Sequence, residues 1–172
     1  MNKTKTLAII GLYTALLIGA QIALFSIAGV EIVTVLFTAF CFYFGRWKGM
    51  AVGTAFSILR ILIFGFMPNV VLLYLIYYNL FALIVGSIGK ALGNKLNFKR
   101  LILVVIVVAL LTILFTMLDN LITPLMYSYG IEAFKAYCLA SLAALIPQTI
   151  CAIISVALIF PPLIKIFEKI KL

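Results

Sequence analysis

Six apolar runs follow one another between Leu7 and Lys165, each close to the length a helix needs to cross a hydrocarbon core. Crossing takes about 20 apolar residues, and a helix satisfies every backbone N–H and C=O within the segment, as lipid requires. The runs predict helices near residues 6–26, 30–45, 49–67, 70–92, 100–122 and 136–164. They are separated at Ala28-Gly29, Gly45-Arg46, Pro68-Asn69, the polar stretch from Asn94 to Asn97, and Thr123-Pro124. The composition agrees: 67% of the 172 residues are hydrophobic and 10% charged, whereas soluble domains are about half apolar. The chain is expected to form one all-α integral membrane domain of six helices over residues 1–172. The first run ends without a small-residue cleavage pattern, so it is expected to be retained as a helix.

Charge sets the expected orientation. The formal net charge is +9, but the basic residues lie in short clusters between apolar runs and not along one face, which argues for topology over nucleic-acid binding. With both termini in the cytoplasm, Lys3, Lys5, Arg46, Lys48, Lys90, Lys95, Lys99, Arg100, Lys165, Lys169 and Lys171 fall inside. Lys135 is left outside and Arg60 within a helix. Trp47, between Arg46 and Lys48, fits an interfacial aromatic anchor.

Charged and amide side chains inside a bilayer are costly, so each invites a functional reading. In this orientation Arg60, Asp119 and Asn120 fall in the outer half, with Asn79 and Gln148 near mid-depth and Glu31 opening the second helix outside. A few polar groups among aromatic and aliphatic walls are what a small-molecule pocket needs, so Arg60, Asn79, Asp119, Asn120 and Gln148 are candidate substrate-binding residues. Arg60 and Asp119 have two readings: an internal ion pair holding helices together, or two groups facing a ligand with an anionic and a donor end. Pro147 is expected to bend the last helix beside Gln148. The link Thr123 to Lys135 is long enough to cover a pocket, as is Ser26 to Val30.

The first helix also carries small residues every fourth position, Gly11, Ala15, Gly19 and Ala23, a stripe that permits close approach of another backbone. It serves either packing within the bundle or docking of a separate membrane protein. Ala136, Ala140 and Ala144 repeat the spacing in the last helix.

Catalysis finds little support. The chain has no histidine, no GxxxxGK[ST] nucleotide loop, and no carboxylate pair at helical spacing. Its three cysteines, Cys41, Cys138 and Cys151, form no CxxC pair and read as packing residues. No cofactor or metal is expected. A small membrane enzyme acting on lipid or prenyl substrates and a structural accessory subunit are the rival classes.

The motif Gly11-Leu-Tyr-Thr-Ala15, the basic turn Phe44-Gly45-Arg46-Trp47-Lys48-Gly49-Met50-Ala51-Val52-Gly53 and the outward polar cluster together resemble the substrate-binding S components of energy-coupling factor (ECF) transporters. The resemblance covers essentially the whole chain, with Gly11 replacing the first Ala of the family's AxxxA motif. It implies a non-catalytic subunit in a prokaryotic plasma membrane that captures a vitamin or similar micronutrient from outside. It further implies partnership with a transmembrane coupling protein and two ATPase subunits, for which Gly11, Ala15 and Gly19 are the docking candidates. In this family the S component is thought to topple so that its pocket faces the cytoplasm. Nucleic acid is not an expected partner; membrane lipid is.

Overall fold

The computed structural model describes residues 3–24 and 32–170, the last by its backbone alone. These form six helices: α1 Lys3–Leu24, α2 Val33–Phe44, α3 Arg46–Phe64, α4 Pro68–Ala91, α5 Phe98–Met126 and α6 Ile131–Ile170. All but α2 are long and apolar enough to cross a membrane. With 12 residues, α2 spans only about 18 Å.

The short helix is the centre of the bundle. Every residue from Val33 to Phe42 is buried, because a helix apolar on all sides gains most when other helices surround it. Phe37 meets Tyr78 of α4 edge-on at 5.1 Å, Phe42 meets Phe160 of α6 at 5.3 Å, and Tyr13 of α1 lies 4.5 Å from Phe40. The Tyr13 hydroxyl donates to the Leu36 carbonyl at 2.8 Å. Glycine allows the closest approaches: a Cβ on Gly86 would collide with the Arg46 backbone, and one on Gly89 with that of Phe42. Hydroxyls inside the bundle bond back one turn, Thr38 to the Thr34 carbonyl at 2.6 Å and Ser57 to the Gly53 carbonyl at 2.8 Å.

Side-chain bonds tie the turns together at each end. At one end Asn94, after α4, donates to the Tyr43 carbonyl of α2 at 3.1 Å, and Phe167 of α6 packs 5.5 Å from Tyr43. At the other, Asn69 at the start of α4 donates to Thr123 of α5 at 3.0 Å and accepts from Tyr127 at 3.2 Å.

The break at Gly45 is observed, with a φ of 85° that favours glycine; the one expected at Pro68-Asn69 falls just before it, at residues 65–67, and Pro68 takes the first position of α4. The break expected at Thr123-Pro124 is not. α5 runs through Pro124 to Met126 and α6 begins at Ile131, so the expected 13-residue link shrinks to Tyr127–Gly130. Pro124 forgoes one helix bond, to the Asn120 carbonyl a turn back, without ending α5, and the Tyr127 and Tyr129 N–H groups close the turn onto the carbonyls of Thr123 and Pro124. Glu132 in the first turn of α6 favours helix there. A loop cover from Thr123 to Lys135 is thereby ruled out, since most of that segment is helical. Glu31 and the link Ser26 to Val30 lie outside the described residues.

Candidate substrate-binding site

Two adjoining spaces lie among α2, α4, α5 and α6. One is a slot walled by aromatic side chains from α4, which presents Tyr74, Tyr77 and Tyr78, together with Thr34, Thr112, Phe115 and Gln148. The Phe115 ring stands edge-on to Tyr77 at 4.8 Å and to Tyr74 at 5.8 Å. These rings fill the slot so closely that about 10 Å³ remains, the room of a single water.

Phe115 and Gln148 also line the second space, a cavity of about 310 Å³ between α5 and α6. Thr116, Asp119, Tyr137, Ala140, Ser141 and Ala144 complete its wall. The volume lies at the lower end of small-molecule sites. Ala140 and Ala144 explain why there is a cavity: their small side chains leave the α5–α6 seam unfilled.

A chain of hydrogen bonds fixes the Asp119 carboxylate. Tyr127 donates to Asn69 Oδ1 (3.2 Å), Asn69 Nδ2 to Thr123 Oγ1 (3.0 Å), and Thr123 to Asp119 Oδ1 (2.6 Å). From α6 the Tyr137 hydroxyl donates to Asp119 Oδ2 at 2.7 Å. Both oxygens thus accept a charge-assisted bond, which holds the carboxylate without a cation. Arg60 is not its partner: among the described residues the ion pair is Lys135–Glu132 at 3.1 Å.

Arg60 instead lays its guanidinium over the Tyr74 ring at 4.4 Å and the Phe64 ring at 5.3 Å. It therefore adjoins the slot through Tyr74. Its Nε is buried without a hydrogen-bond partner among the described residues. Gln21 of α1 approaches the Tyr74 hydroxyl at 3.4 Å. Asn120 donates to Ser141 at 2.8 Å, bracing the cavity wall from the side, and its Oδ1 is buried without a partner among the described residues. Asn79 lines neither space; it accepts from Thr54 at 3.2 Å and donates to the Leu75 carbonyl at 2.8 Å in the α3–α4 seam.

On the far side of α1, Gly11, Ala15 and Gly19 are exposed, and a Cβ on either glycine would meet nothing within 4 Å. The bundle takes the opposite face, burying Tyr13, Thr14, Leu17 and Ile18. Among the described residues, no other helix packs on the two glycines of the stripe.

Residues 1–169 match the model of the family described as ECF-type riboflavin transporter, S component. The chain belongs to this family. No curated protein and no solved structure matches it. As an S component the chain is the membrane-embedded substrate-binding part of a transporter and not an enzyme.

Of the residues expected at the site, the S component brings Asp119 and Gln148 to its cavity, Asn120 behind the wall, and Arg60 onto the Tyr74 ring outside the slot lining. Sequence reasoning missed Phe115, Tyr137, Ser141 and Asn69. The tyrosines at 74, 77 and 78, one turn apart on a helix, were the available signal for the slot.

Proposed function

We propose that this S component captures riboflavin, with its termini in the cytoplasm and its site open to the outside of a prokaryotic plasma membrane. The observation that carries the reading is the joining of an aromatic slot to a polar cavity through Phe115 and Gln148. Riboflavin has the same two parts, a flat tricyclic ring and a hydroxyl-bearing ribityl chain. The ring enters between Phe115 and the tyrosines when Phe115 swings back from Tyr74 and Tyr77, and Phe115 then stacks on its other face, a rotamer change of the kind common on binding. The ribityl hydroxyls donate to Asp119 and bond Ser141, Thr116 and Gln148. A neutral ligand suits a carboxylate already held by Thr123 and Tyr137, and requires no contact with Arg60.

Release into the cytoplasm requires energy from elsewhere. A transmembrane coupling protein with two ATPase subunits supplies it, docking on the exposed Gly11, Ala15 and Gly19 stripe, where backbones pack closely. The whole of residues 1–172 acts as one binding domain.

Titration of the purified protein with riboflavin, followed by flavin fluorescence, tests the reading. Binding quenches the flavin as its ring stacks on tyrosine and phenylalanine, and Phe115→Ala weakens it by on the order of tenfold, because stacking of an aromatic ring is worth about 1–1.5 kcal/mol. Quenching that Phe115→Ala and Asp119→Asn both leave unchanged would place the ligand elsewhere.

A further inference from the structure

A larger cavity, about 470 Å³, lies at the end of the bundle that carries Lys3, the Gly45 turn and the α4–α5 turn. It is lined by Arg46, Lys48 and Lys90, with Tyr43, Phe44 and Trp47, and with bare backbone at Gly45, Gly86 and Gly93. No carboxylate pairs with the three cations among the described residues; Arg46 lies over the Trp47 ring at 5.3 Å and Lys48 over the Phe44 ring at 5.6 Å. The space is separate from the flavin site and shares no lining residue with it. We propose that it binds the phosphate headgroup of an anionic membrane phospholipid, a site that does not depend on the riboflavin reading.

Three features single out a lipid. The first is charge: three cations with no carboxylate partner among the described residues line one concavity, and the N-terminus of α3 at Gly45, which no side chain caps, lies in its wall. The second is depth. Trp47 is 69% exposed beside the cavity, where an interfacial indole sits at headgroup level. The third is what lies along the helix from the cations. Ile76, Leu83 and Lys90 recur every seventh residue of α4 and are all exposed, so one face carries a cation at the headgroup end and apolar side chains where an acyl chain would lie. A soluble phosphate would use the first feature alone.

The chain's single tryptophan is in this cavity, so its emission reports on the site directly. The intact protein is reconstituted with brominated phosphatidylglycerol as the minor lipid in unbrominated phosphatidylcholine, and in the reciprocal mixture with brominated phosphatidylcholine as the minor lipid. Selective binding makes the brominated anionic lipid the stronger quencher of Trp47, by an affinity ratio of on the order of five- to tenfold. Arg46→Gln/Lys48→Gln/Lys90→Gln brings the two quenching curves together. Lys90→Gln alone, at an exposed position, reduces the ratio if the triple variant does not fold. Riboflavin titration of the same samples stays at the wild-type value. Equal quenching by both lipids in the wild type overturns the proposal, as does a preference that survives the substitutions. Equal quenching by both lipids together with a Trp47 response to inorganic phosphate would assign the cavity to a soluble anion. A Trp47 response seen only on adding the coupling protein would assign it to protein docking. Either result overturns the lipid site.

Discussion

Two glycine substitutions separate what builds the bundle from what it offers to partners. In α4, a Cβ added to Gly89 falls 2.7 Å from the carbonyl carbon and 2.8 Å from the Cα of Phe42, and meets the carbonyl oxygen as well. Carbon atoms prefer about 3.5–4.0 Å, so α4 has to retreat from α2 by roughly 1 Å, and the obstacle is the backbone of a buried residue, Phe42, which no rotamer change relieves. Overpacking of this kind costs about 1–3 kcal/mol, and the upper end applies here. Alanine returns about 1 kcal/mol in helix propensity, leaving Gly89→Ala about 2 kcal/mol less stable. For a chain of this size that is a fall of about 4–8 °C in midpoint. At Gly19 a Cβ meets nothing within 4 Å, so Gly19→Ala keeps only the propensity gain and its midpoint holds or rises by up to about 4 °C. Thermal unfolding in detergent, followed by Trp47 emission, measures both. Equal midpoints for the two variants would refute the assignment of Gly89 to packing and of Gly19 to an open face.

Three further outcomes are expected. Ala15→Leu on the exposed face of α1 leaves riboflavin affinity unchanged but abolishes co-purification with the coupling protein and ATPases in mild detergent, because a bulky side chain keeps the backbones apart. Tyr137→Phe removes one of the two bonds orienting Asp119; at about 1.5 kcal/mol for a bond to a charged group it weakens riboflavin binding by on the order of tenfold, read by the flavin titration. Asn79→Ala lowers the unfolding midpoint through loss of the Thr54 bond, worth about 1 kcal/mol, yet leaves riboflavin affinity within about twofold.

Helix number and the positions of most turns were legible because glycine, proline and basic residues punctuate apolar runs whose lengths the bilayer dictates. The ends of α5 and α6 were not, since a proline inside a long apolar helix need not end it: α5 continues through Pro124 as α6 does through Pro147, Pro161 and Pro162. Tyr137, already within the expected sixth helix, and the Asn69–Thr123 bond stayed hidden because their meaning lies in contacts between helices, the latter across 54 residues of chain. Depth along a helix brought Arg60 and Asp119 to the same half of the membrane, but depth says nothing of rotation about the helix axis. Arg60 faces Tyr74, whereas Asp119 faces α6. Rotation also decided the small residues. Gly11, Ala15 and Gly19 face outward, whereas Ala140 and Ala144, at the same spacing, line the cavity. An identical sequence pattern thus makes a bare outer face on one helix and the wall of an open cavity on another.

Riboflavin capture is tested most directly by native mass spectrometry of the detergent-purified protein after incubation with an equimolar mixture of vitamins. The account predicts a single adduct with the mass of riboflavin on the wild type, lost from the variant carrying both Phe115→Ala and Asp119→Asn. Retention of a different vitamin, or of none, would contradict it.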